Sequence, residues 1–397
     1  MKRAFVANAA CFFRAVSAMV IAITSMGFNA HSAPQVPASD SVIVEILRDQ
    51  PLSAKDSDFR RLRTKLRDTP ADMALATTVA QRAIEISRRD GDPRYLGYAQ
   101  AALSPWWSQA NPPVPVRLLK ATLLQSTHAF APALAELDAV LLAAPANAQA
   151  WLIRAAILQV QGEYSAAASS CERLRPAGAG FYADVCKAEL TGLTGDVAAA
   201  RAQLAQLAKF ATGAAGAPAS GAWLAVIEAE MAERAGDDAA ADRHYRAALA
   251  GANDAYAKAA YADFLLDRKR APDVIALLQR EQRADALLLR LAIAYQMVND
   301  PRLAAAIAAL RTRFDAARLR GDIAHQREEA RFTLQLLSRP VEALALAQQN
   351  WSVQKESADA RILLEAARAA GQDAAANPVR DFIRTHQLRD RRVAEFL

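Results

Sequence analysis

The chain has 397 residues, 53% hydrophobic but only 7% aromatic, and 96 of them are alanine. Glycine (15) and proline (17) are sparse. This excludes a collagen-like or low-complexity chain and disfavours a β-sandwich or barrel, which needs β-branched residues, aromatics and frequent turns. Alanine has the highest intrinsic helix propensity, so the composition predicts an all-α chain. Its length implies two or three domains unless an internal repeat spreads the core along one axis.

Residues 1–32 read as a cleaved signal peptide. Lys2, Arg3 and Arg14 precede an apolar run from Ala15 to Phe28, and Ala30-His31-Ser32 offers a small-x-small cleavage site. The run is shorter than the roughly 20 residues of a spanning helix, so the mature chain is expected to be periplasmic or secreted, without a membrane span. Removing those three bases lowers the net charge from +6 to +3. No basic run interleaves with aromatics, which argues against nucleic acid. Arg60-Arg61-Leu62-Arg63 and Arg389-Asp390-Arg391-Arg392 read as solvated helix faces. Residues 33–56 have the composition of a disordered or extended lead-in.

Helical patterning begins with a degenerate unit at Met73–Arg88 and Tyr95–Leu103, joined by a Gly91-Asp92-Pro93 turn. A proline-dense connection over 104–115 follows; Trp106 and Trp107 there are expected to cap the apolar end of a hairpin, with an exposed partner site as the alternative. The clearest units lie in 114–210. In the second of them, Trp151, Ala155 and Leu158 share a helix face, Gly162 makes the turn, and Tyr164 and Ala167 begin the return helix. Thirty-four residues earlier stand Ala121, Leu124, Phe130 and Ala133 in the same frame. The frame persists at Ala188, Gly195, Ala200 and Leu204; at Ala229, Ala232, Gly236, Ala241 and Tyr245; and at Ala262, Leu265, Val274 and Leu278. It continues at Ala292, Tyr295, Ala304 and Ala308, is looser around Ala330 and Ala343, and is poorest at Leu364, Gly371 and Ala376. The small-residue stretch 211–221 reads as a hinge.

A tryptophan, two small residues, a turn glycine and an aromatic at a period of 34 resemble the tetratricopeptide (TPR) repeat family. The resemblance implies a right-handed all-α solenoid of about seven to nine antiparallel helical hairpins over 57–390. It also implies that the first helix of each hairpin lines a concave face that takes an extended peptide or a helix. Carried over, the lining positions are Leu118, Thr122 and Gln125, then Gln149, Leu152, Ala156 and Gln159. Family members that clamp a C-terminal carboxylate carry lysine and asparagine where this chain has Leu118 and Thr122, so capture by that route is not expected. Lys120 and Arg154 share a frame position and read as charged tips on apolar stems.

Chemistry-bearing motifs are missing. The histidines His31, His128, His244, His325 and His386 stand apart, and there is no His-Glu-x-x-His, Cys-x-x-Cys, Gly-x-Ser-x-Gly or phosphate-binding loop. No cofactor or metal is therefore expected. The acid pairs Asp237-Asp238 and Glu328-Glu329 read as capping or solvated helix starts. Cys171 and Cys186 form a possible disulfide in an oxidising compartment, with two buried thiols as the alternative. The functional expectation is a non-enzymatic adaptor of a bacterial envelope that binds a protein or peptide. A structural accessory subunit of an envelope enzyme or transport complex is the alternative. An enzyme would need an acid or histidine cluster assembled from distant repeats.

Overall fold

The computed structural model describes residues 54–211, 217–252, 254–321, 326–394 and 396–397; of 54–56, 211 and 217–220 it describes the backbone alone. The expected signal segment and most of the lead-in lie outside the described residues, as do His325 and residues 212–216 of the expected hinge.

Every regular element among the described residues is helical. A leading helix, α1 (Ala54–Asp68), packs on the hairpin α2 (Met73–Asp90) and α3 (Arg94–Ala102), and a single turn, α4 (Ser104–Trp107), follows. Then come α5 (Val114–Ser126) with α6 (Phe130–Ala143), α7 (Ala148–Val160) with α8 (Tyr164–Leu174), and α9 (Gly180–Leu193) with α10 (Val197–Ala211). The next pairs are α11 (Ala217–Arg234) with α12 (Asp238–Gly251), α13 (Ala255–Asp267) with α14 (Ala271–Leu278), and α15 (Asp285–Met297) with α16 (Leu303–Leu319). The chain ends with α17 (Gln326–Gln335) and α18 (Pro340–Val353), then α19 (Ser357–Ala369), α20 (Asn377–Thr385) and the short α21 (Arg391–Ala394). Residues 217–221 of the expected hinge form the first turn of α11.

The pairs stack as a solenoid, because first helices touch the first helices of the next pair: α5 to α7 to α9 to α11, and α13 to α15 to α17 to α19. Alanine makes that stacking tight. Ala121, Ala133, Ala155 and Ala167, at the predicted crossing positions, are at most 2% exposed, and small residues there let helix axes approach the low end of the usual 8–10 Å.

One turn closes most hairpins. The amide of Glu163 donates to Leu158 O at 2.8 Å, five residues back, and the same bond recurs from Ala129 to Leu124, Asp237 to Ala232, Arg270 to Leu265 and Asp300 to Tyr295. This is the 6→1 bond of a helix C-cap, which needs a residue at positive φ before the donor. Gly162 and Gly236 supply it at φ 79° and 77°, but His128, Lys269 and Asn299 do so at 55–60° without glycine.

The solenoid curls until its end meets its middle. Helices α17–α21 share one apolar core with α7–α9, where Ala155, Leu158 and Leu190 pack with Leu363, Val379 and Ile383. The backbone amide of Lys355 donates to Val160 O at 2.8 Å, and Gln354 Nε2 lies 3.1 Å from His128 Nδ1. At the turn before α8, a Cβ on Gly162 would stand 2.5 Å from the Phe382 ring. On the other side, the α2–α3 turn abuts α13 and α15 at Ala255 and Ala284.

Trp106 and Trp107 are half-buried against the core of α1–α3 and α5. Arg60, Arg61 and Arg63 are exposed on α1, as expected. The C-terminal cluster is a solvated face only in part: Arg389 and Arg391 are exposed, but Asp390 and Arg392 turn inward. Asp390 has no exposed side-chain surface and holds Arg392 Nη2 at 2.6 Å, while Arg392 Nη1 reaches Glu233 at 3.4 Å. Glu328-Glu329 is likewise not a solvated helix start. Glu329 is 6% exposed and takes Arg318 at 2.7 Å, and Glu328 faces Arg290, because the first turn of α17 lies inside the curl. Asp237 does cap α12, accepting from the Ala240 amide at 3.1 Å.

Candidate binding lumen

Two cavities lie inside the curl. One cavity of about 300 Å³ is walled by α7, α8, α9, α11, α13, α15, α17, α19 and the segment before α21. A second, of about 370 Å³, lies beyond it and shares Asp263, Arg290, Arg327, Glu328 and Arg392. Those shared residues form a partition of ion pairs. Asp263 holds Arg290 and Arg331, each at 2.6 Å, and Arg327 reaches Glu356 at 2.8 Å and Asp359 at 3.4 Å.

Burial and pairing set the charges here. Although burial opposes its ionisation, Asp263 is held well below the usual carboxylate range by the two guanidiniums. Asp359 goes the other way, pushed up to about 6 by burial against the opposing pull of Arg327. It accepts from Asn350 Nδ2 at 2.7 Å and from the Glu356 amide at 2.9 Å.

Two carboxylates differ from these. Glu189 of α9 accepts from Gln159 Nε2 at 2.7 Å, and Glu230 of α11 accepts from the Tyr256 hydroxyl at 2.6 Å. No ion pair joins either to a base among the described residues. Burial pushes both above the usual carboxylate range, and the charge of Glu189 pushes Glu230 further. The Tyr256 phenol is raised well above its ordinary value by the charge of Glu230 and by burial. Yet Tyr256 is 57% exposed, because its ring borders the first cavity.

Of the lining residues read from the sequence, Gln159 alone reaches this cavity. Leu152 is half-buried against the core shared with the C-terminal helices, and Leu118 packs half-buried on the core of α5–α7. Thr122 is 3% exposed, its hydroxyl bonded to Leu118 O at 2.9 Å, so its own helix has already claimed it. Gln125 and Ala156 are half-buried, and Gln149 is exposed. Lys120 pairs with Glu136 at 2.9 Å, while Arg154 pairs with Asp138 and donates to Ser170 Oγ, so both tips are engaged.

The frame that picked these residues holds better further along. Six residues before the positive-φ turn residue stand Thr122 and Ala156, and in the following pairs Glu189, Glu230 and Asp263. Thirteen before it stands Gln149, then Tyr182, Trp223 and Tyr256. Of these, Glu189, Glu230, Asp263 and Tyr256 line the cavity, so that part of its wall is the predicted lining face of later repeats.

Cys171 of α8 and Cys186 of α9 are disulfide-bonded, with Cα atoms 5.8 Å apart, tying one hairpin to the next. Among the described residues, no group of three His, Cys, Asp or Glu side chains converges as a metal site, and no helix is long and apolar enough to cross a membrane.

No protein-family model matches the chain, and no curated protein does. Among solved structures it is similar to the crystal structure of the P58(IPK) TPR domain. That match has 15% identity and a TM-score of 0.23, and covers 86% of this chain and 96% of that one. The all-α hairpin solenoid described above rests on the helix pairing itself.

Proposed function

We propose that this chain is a non-enzymatic binding module of the bacterial envelope, exported by its first 32 residues, whose lumen receives an extended segment of a partner protein. The observation that carries this reading is the lumen wall. First helices of successive hairpins present hydrogen-bonding side chains, Gln159, Glu189, Glu230 and Tyr256 among them, to one shared hollow. A solenoid that needed only stability would gain more by filling that space with apolar side chains, since unpaired buried acids are costly. At about 300 Å³ the hollow is at the low end of ligand pockets, which suits a narrow extended segment and excludes a folded partner.

Site-specific photocrosslinking tests this. A benzoylphenylalanine at Tyr256 is expected to yield a discrete adduct in cells, whereas one at Leu142, 87% exposed on α6, yields none. Adducts at Leu142 and none at Tyr256 would remove the lumen from consideration. A stoichiometric complex on native gels would make the chain a permanent subunit, and a transient adduct would make it an adaptor.

A further inference from the structure

A groove of about 470 Å³ lies between α1 and the α3–α4 segment and shares no lining residue with either cavity inside the curl. Arg60, Arg63 and Arg67 line it from α1, and Tyr98, Ala101 and Pro105 line it from α3 and α4. Among the described residues no carboxylate lines the groove, and none of the three guanidiniums has an ion-pair or hydrogen-bond partner. The neighbouring Arg61 does have one, Asp58 at 2.6 Å. In the inner cavities, by contrast, every lining arginine faces a carboxylate.

Positions 60, 63 and 67 share one face of α1 over about 10 Å of its axis. Like charges at those spacings oppose helix formation, and α1 supplies no counter-charge to offset them. An independent observation separates this face from a merely solvated one. The Arg63 guanidinium sits 3.8 Å from the centroid of the Tyr98 ring. That contact occupies the flat face of the cation and leaves its N–H fork, which matches the two oxygens of a carboxylate, held in place and unused. The shape of the groove narrows the ligand. A flat bilayer does not enter a groove, and a single small anion would leave the Tyr98, Ala101 and Pro105 side empty. An extended chain fits both sides. Its alternate side chains point the same way about 6.7 Å apart, within the span of the arginine row, and the intervening ones point to the opposite side.

We propose that the groove between α1 and α3–α4 binds an extended acidic segment of a partner protein. Carboxylates at alternate positions pair with Arg60, Arg63 and Arg67, and the apolar side chain between them packs on Tyr98, Ala101 and Pro105. This docking site is separate from the lumen, so its failure leaves the lumen reading untouched.

The test is fluorescence anisotropy with the full chain and fluorescein-labelled Gly-Leu-Asp-Leu-Asp-Leu-Gly. Its counterparts are the same peptide with asparagine for both aspartates, and Gly-Leu-Leu-Asp-Asp-Leu-Gly, whose adjacent acids point to opposite sides when extended. The alternating acidic peptide is expected to bind at least tenfold more tightly than either. Arg60→Gln with Arg67→Gln should lose at least tenfold. Arg280→Gln with Arg311→Gln, which removes the same charge from exposed positions elsewhere, should keep the affinity. Far-UV circular dichroism verifies that each variant is folded. Equal binding of the asparagine peptide, or no binding of any peptide to the folded chain, overturns the site. Equal binding of the adjacent-acid peptide overturns the extended alternating segment. An equal loss in the Arg280 and Arg311 variant overturns the groove in favour of net charge alone. Displacement by inorganic phosphate at concentrations equal to the peptide's overturns the peptide as occupant. So does flotation of the chain with phosphatidylglycerol vesicles that the Arg60 and Arg67 variant loses.

Discussion

The closure of the curl makes a quantitative demand at Gly91. This residue caps α2 at φ 63°, and a Cβ placed there would stand 2.7 Å from Ala284 Cβ and 3.2 Å from Ala255 Cβ. Neither alanine has a flexible end to move, so Gly91→Ala forces the α2–α3 turn away from α13 and α15 by about 0.7 Å to reach ordinary contact at 3.4 Å. Gly371 is the control, because it has φ 65° and nothing within 4 Å of its added Cβ. Both substitutions meet the left-handed backbone penalty of about 1–2 kcal/mol. Gly91→Ala alone adds the overpacking cost, about 1–3 kcal/mol. Urea denaturation followed by circular dichroism, read as midpoint shifts at a common slope, measures the difference. Gly91→Ala should therefore exceed Gly371→Ala by about 1–3 kcal/mol, and equal shifts would show that the α2–α3 turn does not bear on α13 and α15.

Stability should also vary with pH in a direction set by the lumen. Glu189, Glu230 and Glu233 are raised by burial and Asp359 is raised to about 6, so their contribution is full below about pH 4 and is lost as pH rises through the folded values. Asp263 and Asp390 are held low by arginines despite burial, so theirs is present above about pH 4 and lost on acidification. The thermal midpoint should peak near pH 4 and fall as pH rises through about 6, with Asp359→Asn flattening that fall; a midpoint that climbs from pH 4 to 7 contradicts the scheme. Asp263→Asn strips the shared partner from Arg290 and Arg331, whose side chains are 7% and 18% exposed. It should cost about 2–3 kcal/mol in urea, the low side of a buried pair because Asp263 keeps 28% exposure; a neutral effect would mean water already screens the cluster. Cys171→Ala with Cys186→Ala should cost about 3 kcal/mol for a closed loop of 15 residues. Two reactive thiols in unreduced protein from an oxidising compartment would exclude the bond.

Much of the hairpin architecture was legible in the chain itself, because helix pairing here is local. Alanine at Ala121, Ala133, Ala155 and Ala167 sets where two helices can cross closely, and each is at most 2% exposed. The glycine cue was narrower than the turn it signals. The 6→1 bond imposes positive φ on whatever residue stands there, so His128, Lys269 and Asn299 turn the chain as Gly162 does. Repeats without glycine therefore look irregular in sequence and regular in space.

The charge of the lumen was half-legible. Glu189, Glu230 and Asp263 occupy the frame position of Thr122 and Ala156, so the chain itself aligns them on one face. Sequence could not say whether that face would be open to solvent. The answer depends on the small rotation between successive pairs, summed over the whole stack. That sum brings α17–α21 against α7–α9, and it wraps the concave surface around the two cavities. Local patterning set each hairpin, because its contacts lie within about 34 residues. Only the tertiary structure decided that Asp390, Arg392 and Glu328, plain surface charges by sequence, turn inward, since Arg234, Glu233 and Arg290, which face them, come from helices distant in the chain.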